Sequence, residues 1–481
     1  MDTKIELQEK YAKVRKLIED DSKKDPETEP YRSKYQARSI LLEMRETLTN
    51  LIESGNNDIS TYEPMLALVL SQLGIISLET EELATGEEYL TQCIETIKNH
   101  LNPNVILISL TTRNQLGILW SQRSDPQKAK TWLEGCEKLY EDYMKKTPVE
   151  PPKNLHQIFE AEQEISDTPG DKEIEKVHTL TKFYLAQVYG TLKDLFKSAI
   201  YCHETLRRQL EYKEFDPIDW ALNSATLSQF FMERTLFKQA RHHLAAASYI
   251  LDEYEETLKH LEGTEEEIES KKEEFRHRSA DVSRCWAKYG IFILEYSKNR
   301  LNDQETDVTE LDNEDLKKLW FNSLELAVYE NQITDTYVLM FDEARDVFLI
   351  TQKYLNKAKE YYCLEDHASD HVQIVQDHSQ LFKHLSSFEE DEERQCKMLR
   401  KRLDLLEGVI KELNPQYYML VCRQLWFEMG ECYHDLMQIK FQKVKDSNEV
   451  PTPHALKKIN LLAENSIMNF NHFLESVRDK A

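Results

Sequence analysis

One pattern occurs twice in succession between residues 179 and 251, and it limits the possible folds more than any other feature. In each copy a large and a small residue precede an aromatic by three positions, and a second small residue comes twelve after the first. The copies are Leu185-Ala186, Tyr189 and Ser198, then Leu227-Ser228, Phe231 and Ala240. Small residues at this spacing let two antiparallel helices approach closely, and the aromatics fill the gap to the next pair. The pattern therefore predicts helix-turn-helix repeats.

Two earlier copies extend the array towards the N-terminus. They contain Leu73-Gly74 with Gly86, and Leu116-Gly117 with Ala129. The pattern matches the interlocking positions of tetratricopeptide repeats, although the first two copies are 43 residues apart and the last two are 42 apart rather than about 34. The helices or loops must therefore be longer than usual. We predict an all-α solenoid of tetratricopeptide-like repeats, four of them near residues 66–98, 110–143, 179–210 and 221–252.

Composition and charge narrow the function as well as the fold. With 11 glycines and 13 prolines in 481 residues, and 31% charged residues, the chain suits long helices better than a sheet protein rich in turns. The formal net charge of −26 argues against nucleic acid and against anionic membrane surfaces, since both would repel it. It favours a basic partner, although acidity also serves solubility.

The cysteines indicate a reducing compartment, and the apolar segments indicate neither secretion nor membrane insertion. The eight cysteines include no CxxC pair, and Cys93 and Cys136 occupy equivalent repeat positions, so we interpret them as core thiols. Residues 1–4 have no apolar signal segment. The most apolar run, Met65 to Leu78, is interrupted by polar residues and is short for a bilayer span. These features predict a soluble, cytoplasmic protein without membrane insertion.

Polar composition divides the chain in two. We predict an N-terminal helical repeat subdomain over residues 1–297, a polar and mobile linker over 298–318, and a C-terminal helical repeat subdomain over 319–481. The charged stretch 253–278 is interpreted as one solvated helix. Shorter helices are predicted over 155–164 and 320–329. No polar cap for the last helix is evident in the sequence.

Catalytic motifs are missing from the sequence. It contains no glycine-rich phosphate loop, no GxSxG and no HExxH. The weak metal candidates are His367 and His371, which follow Asp366 and Asp370 at helical spacing. The alternative is that the aspartates cap or pair with neighbouring helices. We predict a protein that is not an enzyme and has no cofactor or small-molecule substrate, and we interpret His242-His243 as ordinary surface.

A row of polar residues on the first helix of each repeat is the candidate binding site. In such repeats these positions line the concave surface, where amides, hydroxyls and a tyrosine can hold a helix or peptide. The alternative is that solvent-facing positions are polar anyway. Flanking the large-small pairs are Gln115 with Ile118, Tyr184 with Gln187, Thr226 with Gln229, and Glu428 with Glu431. Asn114, Phe183 and His434 lie on the same stripe, and Gln209 completes the candidate contacts.

Several long strings resemble those of the KIF-binding (kinesin-binding) protein family. They run in consistent order from residue 25 almost to the end of the chain. The strings are DPETEPYRSKY (25–35), NQLGILWS (114–121), YLAQVY (184–189), FDPIDWALNSATLSQFF (215–231), VQDHSQLFKHLSSFEEDEERQCKMLRKR (375–402) and LNPQYYMLVCRQLWFE (413–428). The resemblance implies a right-handed array of tetratricopeptide-like repeats in two subdomains. It also implies a role in microtubule-based transport, axon growth and cell division.

The same resemblance implies a partner and a contact surface. Family members bind motor domains of some kinesins and stop them from engaging microtubules, and Tyr184, Gln187, Thr226 and Gln229 match family groove positions. Family members continue for several helices beyond the position of Ala481, so the resemblance leaves open a fragment, an isoform or a shorter homologue. We expect a cytoplasmic, cytoskeleton-associated regulator. The competing hypotheses are a general adaptor or co-chaperone that binds peptide tails, and an enzyme that uses the histidine-aspartate cluster.

Overall fold

A computed structural model describes residues 2–54, 59–146, 150–159, 170–302, 316–447 and 450–478. Within these ranges the regular elements are all helices, which confirms the all-α fold class. The α-helices are α1 (Asp2–Lys16), α2 (Arg32–Glu53), α3 (Ile59–Glu79), α4 (Leu83–Thr96), α5 (Ile106–Gln122), α6 (Pro126–Met144), α7 (Gly170–Thr191), α8 (Leu195–Tyr212), α9 (Pro217–Met232), α10 (Phe237–Leu258), α11 (Glu265–Asn302), α12 (Ala327–Glu330), α13 (Phe341–Tyr361), α14 (Ala368–Ser386), α15 (Glu392–Glu412), α16 (Pro415–Asp446) and α17 (Pro453–Arg478). A π turn and three short 3₁₀ turns complete them.

The chain divides into two compact units, Met1–Glu214 and Phe215–Ala481. This packing boundary lies between α8 and α9, upstream of the linker predicted over 298–318. The first residues of that linker, 298–302, are the last turn of α11 rather than a loop, which corrects its starting point. Residues 303–315 lie outside the described residues, and the predicted subdomain boundary stays a prediction.

The four predicted repeats each fall within one helix pair, and the same turn joins the helices of every pair. The pairs are α3/α4, α5/α6, α7/α8 and α9/α10. Each turn holds one residue in the left-handed region: Glu81 (φ 65°), Ser124 (59°), Lys193 (62°) or Thr235 (58°). The next N–H donates to a carbonyl five residues back, from Asp125 to Trp120 at 2.9 Å and from Asp194 to Tyr189 at 3.0 Å. This is the Schellman pattern of helix ends. The repetition is therefore present in the backbone itself.

Small residues bring the two helices of a pair together, as the sequence pattern predicts. A Cβ on Gly86 of α4 would lie 3.1 Å from the carbonyl oxygen of Gly74 on α3 and 2.6 Å from a methyl carbon of Leu78. In α7/α8, Ser198 Oγ donates to the Ala186 carbonyl at 2.8 Å. A larger side chain at either place would separate the helices.

Proline and a short polar side chain begin several helices. Asp125, Asp216 and Asn414 each precede a proline, and each accepts a backbone N–H of the first turn. Proline suits this position because it has no N–H to leave unpaired and its φ is already helical. The side-chain oxygen satisfies one of the free donors of the turn.

The cysteines are thiols, as expected. None forms a disulfide, and Cys93, Cys136 and Cys432 are buried. The Cys93 thiol donates to the Ala67 carbonyl at 3.1 Å, so it ties α4 to α3. Burial raises the pKa of both Cys93 and Cys136 to about 12, which keeps them protonated and unreactive.

Helix α3 extends beyond the apolar run Met65 to Leu78 that was identified in the sequence. Within the described residues, the stretch Thr61–Glu79 is long and apolar enough to cross a membrane by length and composition alone. We had predicted that the run Met65 to Leu78 is too short for a bilayer span, but the apolar stretch of the helix is longer than that run. However, 61% of the stretch is buried inside the protein, as in a core helix.

Two helix predictions are wrong in part. The charged stretch 253–278 is not one helix, because α10 ends at Leu258 and α11 begins at Glu265. The hydroxyl of Thr264 starts the new helix, since it accepts the Glu267 N–H at 3.3 Å while donating to the Glu267 carboxylate at 2.9 Å. Of the helix predicted over 155–164, a 3₁₀ turn spans His156–Ile158, and residues 160–164 lie outside the described residues.

The histidine pair of α10 is core and not surface. His242 and His243 are both buried. The Phe321 N–H donates to His242 Nε2 at 2.9 Å, which leaves Nδ1 to donate to the Glu330 carboxylate at 2.7 Å. These contacts hold residues 316–335 against α10. The helix predicted over 320–329 begins only at Ala327, with α12. The preceding residues are irregular, and Trp320 and Phe321 there pack on the His242 ring.

Candidate partner-binding surface

A stripe of three exposed residues and the half-buried Tyr184 follows one face of α7. Leu180, Phe183, Tyr184 and Gln187 recur at the spacing that places side chains side by side on a helix. Leu180 is 40% exposed and Phe183 is 42% exposed, so two large apolar side chains lie next to each other on this face. We call these four residues the α7 stripe. Leu180 was not predicted as a contact, because its only sequence signal is its position as an apolar residue three before Phe183.

Tyr184 is anchored in the α7 stripe by its ring and open at its hydroxyl. The ring packs against a buried cluster that includes Leu133 and Leu185, and it meets the edge of the Phe183 ring at 5.3 Å between centroids. Neither its hydroxyl nor the side-chain amide of Gln187 has a hydrogen-bond partner among the described residues. A fixed aromatic beside free polar groups suits a partner contact.

Gln209 lies in a cleft beside the α7 stripe. The cleft, about 360 Å³, is lined by α7 and α8, with Leu180 and Phe183 on one wall and Gln209 and Tyr212 on the other. Arg208 forms its base and pairs with the buried Glu175. Tyr140 donates to the same carboxylate at 2.9 Å, and its pKa is raised by burial and by that hydrogen bond. The base is therefore rigid and internally paired.

The α5 candidates divide into half-exposed and buried residues. Gln115 and Ile118 are half-buried and face the same side of α5. Asn114, in contrast, is 1% exposed. The prediction that it lines the groove is therefore wrong. The Asn114 Nδ2 donates to the Val177 carbonyl at 3.1 Å, and its Oδ1 accepts from Thr181 at 3.0 Å. Asn114 therefore joins α5 to α7.

In the second unit, Thr226 and Gln229 are exposed on one face of α9. The Gln229 amide donates to Cys285 Sγ on α11 at 3.5 Å, a weak contact that a partner could replace. The Thr226 hydroxyl has no hydrogen-bond partner among the described residues. This pair has the same three-residue spacing as Tyr184 and Gln187.

The α16 candidates are not equivalent. Glu428 is 6% exposed and accepts hydrogen bonds from Ser379 at 2.5 Å and from the fully buried Arg402 at 3.1 Å. It is therefore a core ion-pair partner, which corrects its assignment to the groove. Glu431 is half-buried, and its carboxylate lies 4.0 Å from Lys383 Nζ in an ion pair. His434 is exposed.

Ion pairs between α11 and α14 use Asp370, which precedes the candidate ligand His371, and Asp377 further along the same helix. Arg284 pairs with Asp370 at 2.7 Å, and Lys288 pairs with Asp377 at 2.6 Å. Burial raises the pKa of Asp377, which Lys288 opposes. These pairings agree with the alternative we had considered for the aspartates.

The candidate histidines also have structural contacts. His371 Nδ1 donates to the Tyr362 carbonyl at 2.8 Å, and His367 stacks on Tyr361 at 5.2 Å between centroids. Among the described residues, no three histidine, cysteine or acidic side chains are placed to hold a metal ion.

Comparison with known proteins decides the family. The family model "KIF-1 binding protein C terminal" matches residues 218–481, more than half of the chain. The chain belongs to the KIF-binding protein family. The KIF-binding protein of Gallus gallus is 39% identical over 494 residues, which cover 98% of this chain and 82% of the relative. The human KIF-binding protein is 35% identical over 521 residues, with 98% of this chain and 84% of the relative covered.

Solved structures of the KIF-binding protein family show the same fold. Kinesin binding protein (KBP) superposes with a TM-score of 0.67 at 32% identity, over 98% of this chain and 82% of that one. The protein in a cryo-EM map of KIFBP superposes with a TM-score of 0.64 at 32% identity, over 98% and 81%. The KIF-binding protein family consists of binding proteins and not of enzymes.

Proposed function

We propose that this protein binds kinesin motor domains and prevents their attachment to microtubules. The observation that supports this most directly is the match to KIF-binding proteins over 98% of the chain. In our proposal Tyr184 and Gln187 on α7 and Thr226 and Gln229 on α9 contact the motor. Gln115, Gln209 and Glu431 are further contacts in the proposal.

The proposed mechanism is occlusion. A motor face that binds an acidic track must be basic, and a protein of net charge −26 attracts such a face over a distance. An amphipathic helix of the motor then meets Leu180 and Phe183 with its apolar side, while Tyr184 and Gln187 accept its polar groups. Once occupied in this way, the face is unavailable to the microtubule.

The cellular location that we propose follows from the proposed kinesin partner. We propose a cytoplasmic, cytoskeleton-associated protein that affects microtubule-based transport, axon growth and cell division. The proposal includes no nucleic acid, no membrane insertion and no small-molecule substrate, since the negative charge opposes the first two.

The α7 stripe does not favour the alternative function, a general adaptor for peptide tails, because the cation beside it is already paired. Such a groove needs Lys or Arg side chains to clamp a terminal carboxylate. Lys182, which lies on α7 near the stripe, is already paired with Glu137 at 2.5 Å and Glu204 at 2.6 Å. This favours the kinesin proposal over the adaptor.

Microtubule co-sedimentation of a kinesin motor domain tests the proposal. We expect the wild-type protein to move the motor into the supernatant, and Tyr184→Ala/Gln187→Ala to leave it in the pellet. The control is Gln416→Ala/Tyr417→Ala, which removes the same residue types from an exposed site at the start of α16. This control should act like wild type. A motor that stays pelleted with the wild-type protein present would exclude occlusion by this chain.

A further inference from the structure

A cationic cleft lies in the second unit, and none of its lining residues is among those proposed above to contact a kinesin. Helices α15 and α17 both pack on α16 and leave a cleft of about 460 Å³ between them. Its walls present cations from all three helices. They are Lys397, Arg400 and Lys401 on α15, Lys440 on α16 and Lys458 on α17.

These five cations are not neutralised within the protein. None has a carboxylate within ion-pair distance among the described residues. The acidic residue that lines the cleft, Glu393, pairs instead with Lys443 at 3.3 Å. The chain as a whole has 87 acidic and 61 basic residues. Concentrating unpaired cations in one cleft costs repulsion energy, which a bound anionic group would relieve.

The base of the cleft is apolar. Leu436 of α16 and Leu462 of α17 are buried there, together with Cys396 of α15. A small inorganic anion would make no use of this surface. A ligand with carboxylates around an apolar side chain would pair with the rim and cover the base at once.

We propose that the α15–α16–α17 cleft binds an acidic peptide segment of a partner protein, one that presents an apolar side chain among its carboxylates. Nucleic acid fits less well, because an extended polyanion would reach beyond the cleft onto a protein of net charge −26. The cleft has the opposite sign to the surface expected to attract a basic motor face. The proposal therefore does not depend on the kinesin function.

Fluorescence anisotropy with a labelled peptide tests this proposal. The probe contains glutamates with leucines at helical spacing, and the comparison peptide has glutamine in place of each glutamate. We expect the full chain to bind the glutamate peptide and not the glutamine peptide. Lys397→Glu/Lys401→Glu should weaken binding at least about tenfold, and the milder Lys397→Gln/Lys401→Gln should weaken it less.

The matched control is Lys271→Glu/Lys272→Glu, which makes the same charge change at two exposed lysines of α11. It should leave peptide binding unchanged. Equal losses in the two reversed variants would overturn the proposal, because net charge and not the cleft would then decide binding. Displacement of the peptide by oligothymidylate at lower concentration than by unlabelled peptide would also overturn it, as would no binding to the wild-type protein.

Discussion

At the scale of single residues, the first unit contains a histidine that cannot easily take up a proton. His178 of α7 is buried and stacks on Tyr140, with 3.6 Å between the ring centroids. Neither ring nitrogen has a hydrogen-bond partner among the described residues. Burial is the main cause that lowers the pKa of His178, and the nearby charges of Arg208 and Lys182 add to it, so that the pKa is about 2. The folded unit therefore holds a neutral imidazole against two cations.

Acid should weaken the fold at this position. In the unfolded chain His178 takes up a proton below about pH 6.5, whereas in the folded chain it does so only near pH 2. Unfolded molecules thus bind more protons in this window, and stability falls as pH drops below the unfolded pKa. His178→Phe keeps the stacking and should reduce the loss by about 1.4 kcal/mol per pH unit.

Hydrogen exchange of the α7 and α8 amides between neutral and mildly acidic pH would measure this effect. His260→Phe, at an exposed position beyond α10, is the control and should leave the pH dependence of these amides unchanged. If wild type and His178→Phe lost protection in parallel, His178 would not be the acid-sensitive group.

At the scale of elements, the repeated turn is built without glycine. Glu81, Ser124, Lys193 and Thr235 all have φ near 60°, where an L-residue is strained. Thr235 is the extreme case, because a β-branched side chain tolerates this region least. The Schellman hydrogen bonds that close each turn hold the residue there. The helix pairs thus keep their geometry at some local cost.

Thr235→Gly should stabilise the α9/α10 pair. Relief of the left-handed strain, about 1–2 kcal/mol, exceeds the extra entropy that glycine loses on folding, about 0.5–1 kcal/mol. We expect a net gain of about 0.5–1 kcal/mol, measured by denaturant unfolding. The matched control is Glu233→Gly in the same turn, where φ is −59°, and it should destabilise the pair. A loss of stability in Thr235→Gly would mean that its hydroxyl bond to the Arg234 carbonyl matters more than the strain.

At the scale of the whole molecule, charge is distributed in two ways. The net charge of −26 favours a basic partner. The α15–α16–α17 cleft is a local exception, and its five unpaired cations favour an acidic one. Of the acidic residues beside α7, Glu137 and Glu204 are already paired with Lys182. Attraction of a motor would therefore come from the summed field and not from a single ion pair.

Salt should consequently weaken motor binding. The Debye length is about 10 Å at 0.1 M salt, so a summed field is screened more strongly than close contacts. We expect the affinity for a kinesin motor domain to fall by about tenfold from low to physiological ionic strength. Titration by anisotropy would measure it, with sucrose in place of salt as a control for osmotic effects. An affinity that does not change with salt would exclude an electrostatic contribution.

Local spacing allowed much of this protein to be predicted. The spacing of large and small residues predicted close pairs of antiparallel helices, and the structure contains such pairs where small residues such as Gly74 and Gly86 meet. The buried thiols Cys93 and Cys136 followed from an equally local rule, since both occupy equivalent repeat positions. Family strings and the family comparisons then agreed on the KIF-binding proteins.

Tertiary structure alone decided which polar residues are available to a partner. Asn114 and Glu428 occupy the same repeat positions as exposed residues, yet Thr181 and Arg402 from other helices bury them. The sequence predicted that His242 is a surface residue, but residues 316–335 pack on it and bury it. The cationic cleft likewise combines three helices that the sequence keeps apart. Periodicity determines which face of a helix a residue occupies, whereas burial depends on long-range contacts that periodicity does not contain.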